Sequence, residues 1–200
     1  MSVKRRILIA LTGASGVEYG RRLLEILAAQ SDVELHLIVS PSAQKVLKLE
    51  QGLSLDLDRF RPDMLGLAAD TRLTLHRHDN VAAPVASGSF RIEALAVVPC
   101  SMGSAAAIAH GLSENLVERA ADVMIKERRK LIVVPRETPL STIHLRNLLT
   151  LSELGAIVLP ASPGFYHRPT TAAELVDFVV ARILDHLNVE HNLVKRWCGD

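Results

Sequence analysis

The sequence predicts an α/β fold built from strand and helix units that alternate along the chain. Apolar runs are followed by stretches with apolar residues at helical spacing, a pattern typical of βα units. The chain has 200 residues, of which 48% are hydrophobic and 22% charged, enough for one sizeable core. Glycine and serine follow several of the apolar runs, at the strand exits where α/β proteins bind ligands. We therefore expect one α/β domain over residues 1–200.

Composition narrows the class of protein. The net charge of +1 comes from 23 basic and 22 acidic residues, which argues against nucleic acid or an anionic membrane as the main partner. The two cysteines, Cys100 and Cys198, suggest neither a disulfide framework nor a zinc cluster. No apolar window approaches the ~18 residues of a membrane span, and the first apolar run is too short for a signal peptide. We expect a soluble cytoplasmic protein.

The first unit is a strand over residues 7–11, a turn reading T-G-A-S-G and a helix over residues 17–29. Gly13 and Gly16 allow positive φ and close approach of another group. Ser15 either caps the helix or points at a ligand, so an ordinary tight turn and a ligand-binding loop both remain open. The pattern is not G-x-G-x-x-G, which favours a mononucleotide over NAD as the ligand.

The second unit is a strand over residues 33–39, which ends at Ser40, and a short helix over residues 42–50. Glu50 falls near the end of this helix, where a carboxylate is unfavourable. It is therefore either simply solvated or held by a cationic ligand or partner.

The pattern is weakest over residues 53–86, which we interpret as a peripheral segment. His76 and His78 could ligate a metal, but the lack of a supporting ligand at helical spacing favours a solvated loop. The small residues of A-S-G-S at 86–89 would let a flat ring or another subunit lie against the backbone. An ordinary turn is equally compatible with them.

The third unit is a strand over residues 94–98, a turn over residues 99–104 and an alanine-rich helix over residues 105–110. Ser101 and Ser104 lie at the helix N-terminus, where they either form a phosphate-binding cup or only cap the helix. For Cys100, a small buried thiol is favoured over a nucleophile.

The fourth unit begins with Asn115 as the cap of a helix over residues 116–129, on which Arg119, Asp122 and Lys126 suggest a face of ion pairs. A strand over residues 130–134 follows. At its exit, Arg136 and Glu137 are either a solvated pair or part of a catalytic rim.

The last part contains a helix over residues 141–154, a strand over 156–159 and a helix over 171–187. In the loop before the last helix, we expect Phe165 to pack and Tyr166 to offer its phenol to a phosphate oxygen or an apolar tail. Arg182 lies away from the apolar side of the last helix. Trp197 suggests docking on a neighbouring subunit or over a site.

Taken together and in order along nearly the whole chain, these segments resemble the UbiX flavin prenyltransferases. The segments that carry the resemblance are T-G-A-S-G at 12–16, A-S-G-S at 86–89, P-C-S-M at 99–102, E-R-A-A-D-V at 118–123, K-E-R-R at 126–129, P-R-E-T-P-L at 135–140 and P-G-F-Y-H-R-P at 163–169.

The resemblance implies a flavodoxin-like Rossmann fold, a parallel sheet with helices on both faces, assembled as a homo-dodecamer with FMN at subunit interfaces. It implies that a dimethylallyl group from dimethylallyl monophosphate is joined to N5 and C6 of reduced FMN without a metal. The prenylated FMN would then serve a UbiD-type decarboxylase, of ubiquinone biosynthesis or of aromatic acid breakdown.

The resemblance also implies roles for individual residues. The expected FMN contacts are Gly13, Ala14, Ser15, Ser40, Ser101, Met102, Gly103, Ser104 and Arg136. The expected prenyl-phosphate contacts are Lys126, Tyr166 and Arg182. The expected catalytic residues are Ser15, Glu50 and Glu137.

One departure concerns the segment before A-S-G-S, where some members have a tryptophan and this chain has Asn80-Val81-Ala82-Ala83-Pro84. The wall around the prenyl tail is therefore expected to differ. A flavin-dependent cysteine-type decarboxylase shares the fold and FMN, but its P-x-M-N-x-x-M-W motif is not in this sequence. A non-catalytic flavin carrier would not need Lys126, Arg136, Glu137 and Tyr166 together.

Overall fold

A computed structural model describes residues 4–196 of the chain. The strands are β1 (Arg5–Leu11), β2 (Val33–Val39), β3 (Leu73–His76), β4 (Ala94–Cys100), β5 (Lys130–Pro135) and β6 (Ile157–Val158). The α-helices are α1 (Val17–Ala28), α2 (Pro41–Gln51), α3 (Met102–Ala109), α4 (Leu116–Lys126), α5 (Thr142–Glu153) and α6 (Ala172–Leu187). Short 3-10 helices lie at Pro62–Leu65, Pro84–Ala86 and Gly88–Phe90.

The strands form one parallel six-stranded sheet in the order β3-β2-β1-β4-β5-β6. This is the strand order of a doubly wound Rossmann sheet, and it confirms the predicted fold class. The chain moves outward from β1 to β3, then crosses to β4 and moves outward in the other direction. The direction therefore reverses between β1 and β4, where Rossmann sheets open a crevice for ligands at the carboxyl ends of the strands.

Side chains alternate along each strand, so the sheet has an apolar core on each face. Ile7, Ile9 and Leu11 of β1 belong to the core beneath α1, α2 and α6. Leu8 and Ala10 belong to the core beneath α3, α4 and α5. Gly20 brings α1 close to the sheet, because a Cβ at that position would lie 2.4 Å from the Val98 carbonyl oxygen.

The main helices and strands lie where their patterns predict them, with shifts at their ends. The predicted and observed bounds of β2 coincide at 33–39, and the Asn115 side chain caps α4 by accepting from the amides of Val117 and Glu118, each at 3.1 Å. The third helix begins at Met102, earlier than predicted, because Ser101 already serves as its N-cap. The fourth ends at Lys126, earlier than predicted, and Arg128 beyond it adopts a positive φ of 55°.

The prediction of a solvated loop at His76 is wrong. Residues Leu73–His76 form the edge strand β3, and the His76 side chain is buried. Its Nε2 lies 3.0 Å from Nδ1 of His36 on the neighbouring strand β2, and the two rings stack. Because each imidazole gives the other a hydrogen-bonding partner, both can leave water.

Two further expectations concern membranes and the C-terminus. Within residues 4–196, no helix combines the length and the apolar character needed to cross a membrane. Trp197, for which we expect docking on a subunit or over a site, lies outside the described residues, as does Cys198.

Candidate functional site

The turns predicted to bind a ligand meet at the carboxyl edge of the sheet. Backbone hydrogen bonds join neighbouring strand exits: the Thr12 amide donates to the Pro99 carbonyl at 3.2 Å, and the Ser40 amide donates to the Leu11 carbonyl at 3.0 Å. On the far side of β4, the Arg136 amide donates to the Cys100 carbonyl at 3.4 Å. The first turn, Ser40, the turn at 101–104 and Arg136 therefore surround one crevice at the switch between β1 and β4.

The first turn is shaped by its neighbours. Gly16, not Ser15, is the N-cap of α1, with a φ of 99° and no side chain of its own to cap the helix. The Ser15 side chain is exposed at the crevice. At Gly13, a Cβ would lie 2.4 Å from Cβ of Ser42 in α2. Packing of α2 therefore requires glycine at this position in addition to any ligand.

The Glu50 carboxylate lies at the N-terminus of α1. It accepts from the Gly16 amide at 3.0 and 3.1 Å and from the Val17 amide at 3.2 Å. Neither a solvated Glu50 nor one held by a cationic ligand or partner describes this arrangement fully, because the positive end of another helix stabilises the charge. This places Glu50 directly beside Ser15.

The turn at 101–104 is capped by hydroxyl groups. The Ser101 hydroxyl accepts from the Ser104 amide at 3.3 Å and donates to the Ser104 hydroxyl at 3.0 Å, which makes Ser101 the N-cap of α3. A Cβ at Gly103 would meet nothing within 4 Å, so space remains in front of the first turn of α3. Unlike α1, α3 has neutral hydroxyls at its N-cap, and a phosphate is compatible with them.

Ser40 and Cys100 lie inward from the crevice. The Ser40 hydroxyl accepts from the Ala43 amide at 3.1 Å and caps α2. The Cys100 side chain is fully buried, and burial raises the pKa of its thiol to about 12. The expectation of a buried, unreactive thiol is therefore confirmed.

Sequence reasoning missed Thr12, whose side chain is 2% exposed. Its hydroxyl donates to the Pro99 carbonyl at 2.9 Å and accepts from the Ser101 amide at 2.8 Å. The available signal was a hydroxyl residue placed directly after a buried strand. Asp or Ser at such a position suggests a ligand-binding residue, whereas a β-branched threonine is also typical of the strand itself.

Arg136 and Glu137 lie at the rim, as their position after β5 predicts. The Arg136 guanidinium donates from Nε to the Ser15 carbonyl at 3.2 Å, which ties the rim to the first turn. Glu137 is exposed, and its carboxylate accepts from the Thr138 amide at 3.0 Å.

Lys126 lies at the opposite edge of the sheet. It ends α4, just before β5 begins at Lys130, and therefore lies where the strands start. There its ammonium group is 3.0 Å from the Glu127 carboxylate, and the Arg129 guanidinium donates to the Gly88 carbonyl at 2.6 Å. The fold thus brings Lys126 and the 86–89 turn together, but away from the crevice of their own protomer.

Arg182 also lies away from the crevice of its protomer. Its guanidinium donates to Asp185 at 2.9 Å, one turn before α6 ends. That end of α6 adjoins the start of β1, because Arg5 donates to the Asn188 carbonyl at 3.2 Å. Of the three residues expected to bind the prenyl phosphate, two therefore lie toward the edge where the strands begin.

The loop after β6 places both of its aromatic residues on the surface of the protomer. Tyr166 is 86% exposed. Phe165 is 69% exposed in the protomer, so it does not pack into the core of its own chain, and its expected packing stays a prediction. Its neighbours include Pro160, Pro163 and Gly164, and this loop-forming sequence holds the ring clear of the core.

No group of three or more histidine, cysteine, aspartate or glutamate side chains within residues 4–196 could hold a metal ion. The positive groups at the crevice are the Arg136 guanidinium and the N-terminus of α3.

Comparison with known proteins places these observations in a family. The family model described as Flavoprotein matches residues 1–184. A protein of Alkalihalophilus pseudofirmus named flavin prenyltransferase UbiX is 47% identical over 197 residues, covering 98% of this chain and 97% of the relative. A Pseudomonas aeruginosa protein of the same name is 47% identical over 202 residues, covering 98% and 96%.

Solved structures of UbiX-like proteins have the same fold as this chain. AnUbiX (PadA1), solved in complex with FMN and dimethylallyl pyrophosphate, is 41% identical with a TM-score of 0.87 over 98% of each chain. A dodecameric FMN-dependent UbiX-like decarboxylase from Escherichia coli O157:H7 is 41% identical with a TM-score of 0.87, covering 97% of this chain and 100% of the other. A PPC decarboxylase mutant is 20% identical with a TM-score of 0.59, a likeness that shows the fold alone.

Proposed function

We propose that this chain, which belongs to the flavoprotein family and within it to the UbiX flavin prenyltransferases, joins a dimethylallyl group to N5 and C6 of reduced FMN. The proposed donor is dimethylallyl monophosphate. The observation that carries the proposal is the crevice between β1 and β4, which combines a serine-capped helix N-terminus, a glycine turn and Arg136. A relative with the same fold holds FMN and a dimethylallyl donor. We take residues 1–200 to act as one flavoprotein domain.

The residues around the crevice fit FMN. The N-terminus of α3, with Ser101, Ser104 and the amides of Met102 and Gly103, would take the phosphate. The turn formed by Gly13, Ala14 and Ser15 would lie beneath the flavin ring, with Ser40 and Arg136 at its sides. The space in front of Gly103 supports this fit, because a ligand can approach the backbone there. Bound reduced FMN would supply the nucleophilic N5 and C6 positions.

The proposed prenyl-phosphate contacts come from more than one protomer. Lys126 and Arg182 lie toward the edge where the strands begin, so a second copy would have to bring them to the crevice. The dodecameric relative supports a homo-oligomer, as do the exposed aromatic rings of Phe165 and Tyr166 and the exposed Ile143 and Leu149 of α5. We propose a homo-dodecamer in which such interfaces complete each site.

These groups would stabilise the departing phosphate when the allylic C–O bond breaks. Lys126, Arg182 and the Tyr166 phenol would do so by charge-assisted hydrogen bonds at its oxygens. Because two cationic side chains already oppose the phosphate charge, we expect turnover without an added metal ion. Apolar walls would exclude water from the allylic cation.

Joining the prenyl group to C6 as well would require a proton to be added at its alkene carbon and a base to take the proton from C6. Glu50 and Glu137 are the candidates in the chain, and the released phosphate is a third. The amides of Gly16 and Val17 hold the Glu50 carboxylate beside Ser15, whose hydroxyl would orient the chemistry at N5. Glu137 lies across the crevice on the rim after β5.

The prenylated flavin is proposed to pass to a UbiD-type decarboxylase. We place both proteins in the reducing cytoplasm, where a thiol such as that of Cys100 stays reduced.

Mass spectrometry tests the proposed reaction. Purified protein is incubated anaerobically with reduced FMN and dimethylallyl monophosphate, and in a parallel sample with dimethylallyl pyrophosphate. The expected product is a flavin heavier by one C5H8 unit. It should form even when EDTA is present, and it should not form in samples without protein. Unchanged flavin mass with both donors would overturn the proposal.

A further inference from the structure

The Thr12 side chain connects the two halves of the crevice. Its hydroxyl donates to the Pro99 carbonyl at 2.9 Å and accepts from the Ser101 amide at 2.8 Å. Thr12 is 2% exposed, its hydrogen bond to Pro99 is buried, and the bond it accepts from Ser101 is partly buried. One hydroxyl therefore joins the exit of β1 to the exit of β4.

This hydroxyl connects two parts of the proposed flavin site. Thr12 begins the turn that would lie beneath the flavin ring. Ser101 is the N-cap of α3, and its hydroxyl accepts from the Ser104 amide at the proposed phosphate position. Holding the Ser101 amide therefore holds the backbone from which the Ser101 hydroxyl projects.

We propose that Thr12 is a positioning residue that sets the spacing between the ring-binding turn and the phosphate-binding turn without touching FMN. The inference rests on the proposed function insofar as it places FMN in this crevice. The double role requires a short side chain that both donates and accepts, which a hydroxyl does and a methyl group does not. Valine has nearly the same shape as threonine but has neither capability.

Thr12→Val should therefore remove the two hydrogen bonds of the hydroxyl while keeping the shape of the side chain. In this variant the Ser101 amide loses its side-chain partner, and the Pro99 carbonyl keeps only the Thr12 amide, which donates to it at 3.2 Å, so the two turns are held together less firmly. We expect the Kd for FMN to rise about tenfold, the equivalent of one net hydrogen bond. Thr12→Ser keeps the hydroxyl and should remain within about threefold of the wild type. Thr74→Val makes the same chemical change at an exposed position of β3 and serves as the control.

The assay is a titration of FMN fluorescence with no prenyl donor, paired with amide hydrogen exchange of the 101–104 segment in flavin-free protein. Weaker FMN binding and faster exchange in Thr12→Val, both restored in Thr12→Ser, would support the proposal. Thr12→Cys, with a weakly bonding thiol, replaces Thr12→Val should that variant not fold.

Unchanged FMN affinity in the folded variant would overturn the role of Thr12, as would Thr12→Ser binding as weakly as Thr12→Val. Because no prenyl donor is present, this result is independent of the reaction. A wild-type protein that binds FMN without alkylating it would overturn the proposed function and leave the test of Thr12 intact.

Discussion

Replacing His76 with glutamine should remove much of the acid sensitivity that arises at the β2–β3 edge of the sheet. Burial, and secondarily the neighbouring His36, lowers the pKa of His76 from 6.5 to about 4. Burial also lowers the pKa of His36, although Glu34 lies 3.2 Å from its Nε2 and opposes the shift. Arg6, which pairs with Glu34 at 3.1 Å, adds a further positive charge near this group.

The sign of the effect follows from proton binding. The unfolded chain protonates His76 near pH 6.5, whereas the folded chain does so only near pH 4, so the unfolded state binds more protons between these values. The contribution to stability is therefore complete above pH 6.5 and is lost as the pH falls toward 4. Between about pH 7.5 and about pH 5, His76 alone should cost about 2 kcal/mol of unfolding free energy. For a chain of this size that corresponds to a fall in Tm of roughly 4–8 °C.

The measurement is urea unfolding of flavin-free wild type and His76→Gln at the two pH values. The variant should lose about 2 kcal/mol less than the wild type between them, since glutamine does not titrate and its amide can still bond His36. His110→Gln, at an exposed position, is the matched control and should follow the wild-type curve. Equal losses in the wild type and His76→Gln would refute the reasoning.

Two other predictions concern the proposed site. Glu137→Gln should bind FMN as the wild type does but turn over at least about 100-fold more slowly, because it removes a candidate base; wild-type rates in a single-turnover assay would remove Glu137 from the mechanism. Gly13→Ala should lower the unfolding free energy by about 1–3 kcal/mol, since the new Cβ would press on Ser42. In contrast, Gly103→Ala meets open space and should leave stability unchanged or raised, and urea melts that show equal losses in the two variants would contradict this account.

The sequence was informative wherever a signal is local. Asn115 begins a helix as predicted, because a capping side chain acts within a few residues. The order of strands and turns followed from the alternation of apolar runs and small residues. The crevice could therefore be anticipated before the sheet order was known.

What the sequence did not reveal depends on partners far apart in the chain. Glu50 contacts Gly16, 34 residues away, and His36 contacts His76, 40 residues away. From the neighbouring residues alone, Glu50 is a carboxylate at an unfavourable helix C-terminus, and His76 belongs to a polar loop. Only the sheet supplies the helix end or the second imidazole that stabilises each group.

The placement of Lys126 and Arg182 shows a second limit. A match to a family motif predicts the role of a residue, but it does not say which copy of the chain brings that residue to the site. Topology separates these two from Arg136, because α4 and α6 end where the strands begin. Residues that are expected to share one site are thus far apart within one protomer.

Glu50 occupies the N-terminus of the first helix of this Rossmann sheet. In dinucleotide-binding members of the fold, the pyrophosphate sits at the N-terminus of the first helix. Here a carboxylate from α2 already accepts from the Gly16 and Val17 amides at that position. A pyrophosphate would have to displace this negative group, while a single phosphate at α3 does not encounter it. Of these two helix ends, the one at α3 is therefore the one left open to a phosphate.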